Sequence, residues 1–147
     1  RVRLSRELRI DMPAERALHL FTPVGERLWV KGWEPRFPDG ERGDGATTGT
    51  VFITEHAGRD TVWTVVDRGE HLVRYARTTT GHSAGLVEVR CHAQPDGTTR
   101  ATVTYELTAL DDDARRILGE FARGYADYIA EWERLIAAAL EAGRIRA

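Results

Sequence analysis

The sequence predicts an α+β protein in which an antiparallel sheet is covered by a helix near the C-terminus. Between residues 50 and 110, runs rich in β-branched and aromatic residues are separated by connections of three or four residues, which makes the strands antiparallel neighbours. The run at residues 101–109 alternates apolar and polar side chains, so one face of the sheet is apolar. Residues 111–142 carry apolar side chains at helical spacing, and an apolar sheet face must be covered.

A strand and two short helices are predicted before the main sheet. Residues 2–10 alternate, with Arg6 as the one charged side chain on the apolar face. Pro13 is a favourable first residue for the helix that follows, and a second short helix is predicted for Gly25–Val30. Residues 34–49 are rich in Gly, Pro and Asp and are expected to form a loop.

One long helix is predicted for residues 111–142. Asp111–Asp113 provide a cap and favourable charge at its N-terminus, and Gly143 is a stop signal. Its apolar stripe contains large aromatic side chains, two of them with hydroxyl groups. The stripe consists of Ala114, Leu118, Phe121, Tyr125, Tyr128, Trp132, Ile136 and Ala139. A curved sheet that grips such a helix often leaves a gap, and ligands bind in gaps of this kind.

The composition indicates one domain over residues 1–147. A net charge of −2 with mixed signs argues against a general nucleic-acid-binding protein. The single cysteine, Cys91, rules out an internal disulfide and is compatible with a reducing cytosol. The sequence has no apolar run near the roughly 18 residues of a membrane span and no signal peptide, so we expect a cytoplasmic protein.

Three stretches, together with the order of the elements, carry a family resemblance. "RELRIDMPAERALHLFT" is similar to the family's first strand and helix, "PDGERGDGATTG" stands where members carry a glycine-rich loop, and "QPDGTTRATVTYEL" is similar to the last hairpin. The chain resembles the START-like superfamily, also called birch-pollen-allergen-like or SRPBCC, and within it the bacterial polyketide cyclase/dehydrase-like members. The resemblance implies a helix-grip fold with a curved seven-stranded antiparallel sheet around the C-terminal helix, Gly32–Phe37 as a short second strand, and an apolar cavity.

A pocket between sheet and helix is the main functional prediction. Buried tyrosine hydroxyls need hydrogen-bond partners, so several of them in one place favour a cavity with polar contacts, and simple core packing is the alternative. The expected partner is a hydrophobic or aromatic small molecule. The predicted ligand-binding residues are Trp29, Trp33, Phe52, Trp63, Tyr75, Val89, Tyr105, Phe121, Tyr125, Tyr128 and Trp132.

Two of these tryptophans lie in the segment "ERLWVKGWEP" at residues 26–35. Trp29 is expected to close the second short helix and to pack under the C-terminal helix or close one end of the cavity. Gly32 breaks the helix, and Trp33 is expected to begin the short strand and pack on the sheet edge or the following loop. A surface for a protein partner is the lesser alternative.

Three side chains are candidates for catalysis. Arg6 either lies in the cavity, where it could bind a carboxylate or polarise an enolate or ketone oxygen, or reaches out to water. If Tyr75 faces inward, the period of the strand places Arg77 on the same face. His56 is either an inward acid or base or a surface residue at the end of a strand.

No metal site or cofactor is predicted. The five histidines contain no i,i+4 pair, and Cys91 and His92 point to opposite faces of one strand. Cys91 shares the apolar face with Val87 and Val89, where a cysteine behaves as a small hydrophobe. The acidic side chains in the glycine-rich stretch favour a plain or lid-like loop over a phosphate site.

The superfamily that the chain resembles includes lipid carriers, hormone binders, aromatase/cyclases, quinone-binding proteins and relatives of chaperone activators. Function must therefore be argued from the site. The first hypothesis is a binding protein for an apolar or aromatic molecule, as a monomer or homodimer. The second is a cyclase, aromatase or dehydratase that uses cavity Arg, His or Tyr side chains, so whether the protein is an enzyme stays open. The third is a protein-interaction module. An enzyme requires a charged or titratable group with a displaced pKa in the cavity, whereas an interaction module requires an exposed tryptophan patch.

Overall fold

The computed structural model describes residues 1–146, which form one antiparallel sheet, three α-helices and two 3₁₀ helices. The strands are β1 (Val2–Ile10), β2 (Val51–His56), β3 (Arg59–Arg68), β4 (Leu72–Thr79), β5 (Ser83–Ala93) and β6 (Thr99–Ala109). The α-helices are α1 (Ala14–Ala17), α2 (Asp112–Arg123) and α3 (Tyr125–Glu141), and the 3₁₀ helices are Leu18–Phe21 and Gly25–Leu28. The sheet order is β1-β6-β5-β4-β3-β2, so β1 and β2 are its edges.

The described sheet has six strands, and the expected strand at Gly32–Phe37 does not form. Only Arg36 pairs with the sheet, through hydrogen bonds to and from the backbone of Ile53. Pro35 and Pro38 flank this contact, and because proline has no N–H group it cannot extend a ladder. Trp33 therefore lies in a loop and does not begin a strand.

The predicted long helix is divided at Gly124. Its N-terminus is as predicted, because the Asp111 side chain accepts a 2.8 Å hydrogen bond from the Ala114 N–H. Gly124 departs from helical geometry, with φ −96° and ψ 5°, and separates α2 from α3. The second helix ends before Gly143, which has φ +78°, a conformation that glycine adopts readily.

The apolar face of the sheet is set by the strand register. Tyr75 lies opposite Val65 and Val87, and Trp63 lies opposite Phe52 and Arg77, so these side chains share the inner face. The C-terminal helices pack mainly on β1 and β6. Among residues 1–146, no comparable backbone contacts join α2 or α3 to β3 and β4, so this half of the sheet faces the 3₁₀ helices and the loop instead.

Candidate ligand-binding site

Polar and aromatic side chains meet between the uncovered half of the sheet and α3, and we call the space among them the recess. We define it by five side chains that come from five separate elements: Glu26, Trp63, Arg77, Tyr105 and Tyr128. The charges of both Glu26 and Arg77 act on the hydroxyl groups of Tyr105 and Tyr128, which means that these four groups surround a common space. The Arg77 guanidinium lies over the Trp63 ring, 5.0 Å from its centroid.

Accessibility and desolvation together indicate that this space is concave. Tyr128 is 39% exposed, yet burial raises the pKa of its hydroxyl, despite hydrogen bonds from Tyr105 and Trp132 that lower it. Glu26 is also partly accessible, yet burial alone raises its pKa from 4.5 to about 8. Both groups are accessible to water and yet largely surrounded by protein, a combination that favours a concave site.

The four tyrosines of the chain divide into two pairs. The Tyr75 hydroxyl donates to the Phe21 carbonyl and the Tyr125 hydroxyl donates to the Val103 carbonyl, each at 2.7 Å. Both are therefore used in holding the fold together. Tyr105 and Tyr128 instead hydrogen-bond to each other, and each keeps capacity for a further partner.

Glu26 is held at the recess by the local geometry of its 3₁₀ helix. The Gly25 N–H donates to the Thr22 hydroxyl, which donates to the His19 carbonyl. A Cβ atom at Gly25 would lie 1.7 Å from the His19 oxygen, so only glycine allows this close approach. Among residues 1–146, the Glu26 carboxyl group has no hydrogen-bond or ion-pair partner, which is why desolvation dominates its pKa.

Arg77 is the second polar group without a full set of partners. Its Nε atom is buried and makes no hydrogen bond within residues 1–146. On β5 its neighbour is Gly85, where a Cβ would lie 1.8 Å from the Glu106 carbonyl oxygen. The strands therefore approach closely beside Arg77, and no side chain from β5 is present to pair with it.

Aromatic side chains form the walls around these polar groups. Tyr128 contacts Phe121 and Trp132, with ring centroids 5.2 and 5.4 Å away. Trp63 stacks on Phe52 at 5.7 Å with nearly parallel planes. Such surfaces bind flat apolar molecules, because aromatic rings add attraction beyond the area they bury.

Trp29 and Trp33 lie behind the walls and do not form an exposed patch. Trp29 is buried, closes the second 3₁₀ helix as predicted, and packs on Phe21 and Trp132. Its indole N–H donates to the Leu20 carbonyl, whereas that of Trp33 donates to the Pro23 carbonyl. These bonds fix both indoles as supports of the recess.

The remaining predicted residues have different positions. Arg6 has an exposed side chain on the edge strand β1, and His56 is exposed at the end of β2, so neither joins the recess. Val89 is buried in the core between Val73 and Val103. The sequence reasoning missed Glu26, although its i,i+3 spacing from a buried Trp29 was a usable signal, because such positions lie on one side of a helix.

The glycine-rich loop is tied to the body of the protein through Asp44. This carboxylate pairs with Arg68 at 3.1 Å and accepts a hydrogen bond from the Ala46 N–H, and His19 lies 3.7 Å away. Burial would raise the pKa of Asp44, but these contacts lower it overall. The contacts hold the loop against β3, beside the recess.

Open clefts on the surface lie elsewhere and have a different character. One of about 440 Å³ is bordered by Arg9, Asp96 and Glu133. The Arg9 guanidinium pairs with Asp11 and Asp96, and the Glu133 carboxylate accepts from the Arg9 backbone N–H. These polar groups already have partners, whereas Glu26 and Arg77 of the recess lack them, so the recess is the stronger candidate for the functional site.

Comparison with known proteins gives one family for this architecture. Residues 1–138 match the family described as "Polyketide cyclase / dehydrase and lipid transport". The chain belongs to this family. No curated protein matches the sequence. This family assignment agrees with the resemblance that the sequence showed.

Solved structures share the fold of this polyketide cyclase/dehydrase family member. A protein from Mesorhizobium loti is 16% identical with a TM-score of 0.67, and the match covers 93% of this chain and 98% of that one. The Zhui aromatase/cyclase from Streptomyces sp. R1128 is 15% identical with a TM-score of 0.67, covering 94% and 93%. The Aha1 dimer from Colwellia psychrerythraea is 13% identical with a TM-score of 0.60, covering 90% and 94%. At these identities the comparisons support the helix-grip fold alone.

Membrane-spanning helices and metal-binding clusters are both absent from residues 1–146 of this family member. None of its helices combines the length and apolar character needed to cross a membrane. No group of three or more His, Cys, Asp or Glu side chains is arranged to hold a metal ion. Cys91 is buried, and burial raises the pKa of its thiol to about 12, so it is not a reactive thiolate at neutral pH.

Proposed function

We propose that the protein binds an apolar, aromatic small molecule in the recess between the sheet and α3. The observation that carries this proposal is the combination of aromatic walls with polar groups that lack partners, Glu26 and Arg77. Pockets for small ligands have this composition, a largely apolar lining with a few convergent polar groups. Family membership supports a ligand-binding or cyclase-like role for such a recess.

The proposal is tested by native mass spectrometry and by thermal unfolding. Protein purified from its own host is expected to carry a small molecule. A panel of hydroxynaphthoquinones and naphthoic acids is expected to contain compounds that raise Tm by about 5–10 °C at 100 times their Kd.

A pair of variants locates the binding. Tyr128→Ala removes one wall of the recess and should weaken binding about threefold to tenfold. Leu110→Ala, at a position 51% exposed outside the recess, should have no effect. The proposal fails if no small molecule co-purifies and no panel compound raises Tm, or if both variants bind equally well.

A second candidate, an enzyme that forms an enolate, is favoured by the displaced pKa of Glu26. With its pKa near 8, the Glu26 carboxylate is suited to take a proton from a carbon next to a ketone. The C–H electron pair then moves to form the enolate, whose oxygen the Arg77 guanidinium would stabilise. Such a step belongs to cyclase and dehydratase chemistry, and it needs no metal or covalent nucleophile.

Deuterium exchange at the activated CH₂ group of benzoylacetone, followed by NMR in D₂O, tests this candidate. The exchange rate should rise with pH until Glu26 is ionised, near pH 8, and Glu26→Gln should abolish the protein-dependent part. Equal rates for wild type and Glu26→Gln would leave only the binding function. An interaction module would need both tryptophans exposed, whereas Trp29 is buried, Trp33 is half-buried, and both indoles donate hydrogen bonds to backbone carbonyls.

A further inference from the structure

Arg77 differs from the other half-buried arginines of the described chain. Arg68 pairs with Asp44 at 3.1 Å, and Arg74 pairs with Glu88. Arg77 has an aromatic ring on one side and a buried Nε without an acceptor. A buried donor that lacks an acceptor costs free energy, and this cost is recovered when a ligand supplies one.

The charge of the recess is positive at neutral pH. Glu26 is its one carboxyl group among the five residues that define it, and with a pKa of about 8 most molecules carry it protonated at pH 7. The Tyr105 and Tyr128 hydroxyls stay neutral, because burial raises their pKa values. The guanidinium of Arg77 is therefore the one charge that a ligand meets there.

We propose that the recess selects a monoanionic aromatic ligand whose charged oxygen pairs with the Arg77 guanidinium and whose other end carries an oxygen that accepts a hydrogen bond from the Glu26 carboxyl group. This inference rests on the proposed binding function and names its ligand class. A cationic ligand would be repelled by Arg77. A dianion would bring a second negative charge to the end where Glu26 offers a donor but no positive charge.

The groups around Glu26 allow its ionisation to be distinguished from the ionisation of its neighbours. Tyr75, Tyr105 and Tyr128 face it from β4, β6 and α3, and burial raises the pKa values of all three. Beyond Tyr75, Arg68 is paired with Asp44, whose pKa is lowered, while His19 lies on the exposed side of that pair. Arginine stays charged throughout the neutral and mildly basic range. Between pH 7 and 9, Glu26 is thus the recess group that gains a charge.

Two fluorescent probes with the same ring system test the inference. N-phenyl-1-naphthylamine is neutral, and 8-anilinonaphthalene-1-sulfonate adds one permanent negative charge. At pH 7 we expect wild type to bind the sulfonate at least about tenfold more tightly, as a hydrogen-bonded ion pair implies. Arg77→Met should remove this preference and keep the affinity for the neutral probe within about twofold. Arg77→Lys should retain part of the preference, and Arg123→Met, at an exposed position, is the control.

The outcomes separate the two proposals. If the neutral probe binds but wild type shows no preference for the sulfonate, the anion inference is overturned while the binding function stands, whatever the variants do. If neither probe binds to protein whose circular dichroism is native, the binding function itself fails. If Arg77→Met does not fold, the inference is still decided by Arg77→Lys and by the preference of wild type for the sulfonate over the neutral probe.

Affinity measurements at pH 7 and pH 9 test the role of Glu26. Wild-type affinity for the sulfonate should fall about threefold or more from pH 7 to pH 9, because ionised Glu26 adds a like charge. Glu26→Gln should show no such fall. A fall of the same size in Glu26→Gln would overturn the role assigned to Glu26.

Discussion

The two halves of the inner sheet face differ in how closely helices pack on them and in whether their polar groups have partners. On the half formed by β1 and β6, the helices pack closely and the Tyr125 hydroxyl is tied to the Val103 carbonyl. On the half formed by β3 and β4, Arg77 has an unmet polar group among the described residues, and so does Glu26 on the 3₁₀ helix that faces this half. One half therefore provides stability. The other carries groups that reduce stability and that a ligand can use, as is common where a fold holds a functional site.

The largest effect is expected from damage to the stabilising half. Ile129 lies on α3 and is 1% exposed. Ile129→Ala should lower the free energy of unfolding by about 3–4 kcal/mol, because it removes buried methyl groups and leaves a cavity. Urea denaturation measures this, with Leu110→Ala, 51% exposed, as a control that should cost about 0.5 kcal/mol or less. Equal losses for the two variants would contradict the packing described for α3.

The next effect concerns Glu26, where a substitution is expected to raise the free energy of unfolding. Its pKa is about 8 in the folded protein against an ordinary value of 4.5, so the folded state keeps a proton that the unfolded state releases between these pH values. Stability therefore falls as pH rises from 4.5 to 8 and levels off above 8. The pKa difference corresponds to at most about 5 kcal/mol, and because water reaches Glu26 we expect about 2–3 kcal/mol.

Glu26→Gln isolates this contribution. At pH 5 the free energy of unfolding of this variant should be close to that of wild type. At pH 9 it should exceed that of wild type by about 2–3 kcal/mol. Urea denaturation at both pH values measures the difference. Parallel pH profiles for the two proteins would mean that Glu26 is solvated in the folded state.

The sheet could be predicted from the sequence because its signal is local. In β6 the residues alternate strictly, and turn residues at 94–97 separate it from β5. The same local rule placed Arg77 on the face of Tyr75, as the structure has it. A strand period of two residues decides which side chains share a face before any tertiary contact is known.

The character of Glu26 could not be predicted in this way. The tyrosines that surround it lie 49 to 102 positions later in the chain, at Tyr75, Tyr105 and Tyr128. Its raised pKa is a property of that assembled environment. The break at Gly124 has a similar origin, because a glycine costs a helix only about 1 kcal/mol and packing decides whether the helix continues.

The smallest effects should separate the two pairs of tyrosines. Tyr125→Phe removes a buried 2.7 Å hydrogen bond to the Val103 carbonyl and should cost about 1–2 kcal/mol. Tyr75→Phe removes the equivalent bond to Phe21 and should cost a similar amount. Tyr128→Phe should cost less than about 0.5 kcal/mol, because water in the recess can replace its hydroxyl as partner of Tyr105.

Chemical denaturation of the three variants at pH 7 measures this difference, and each keeps its aromatic ring, so packing is preserved. If Tyr128→Phe costs as much as Tyr125→Phe, the Tyr128 hydroxyl belongs to the structural network and water does not reach it. The recess would then be smaller than its lining suggests, and Arg77 and Glu26 would be the two polar groups left for a ligand.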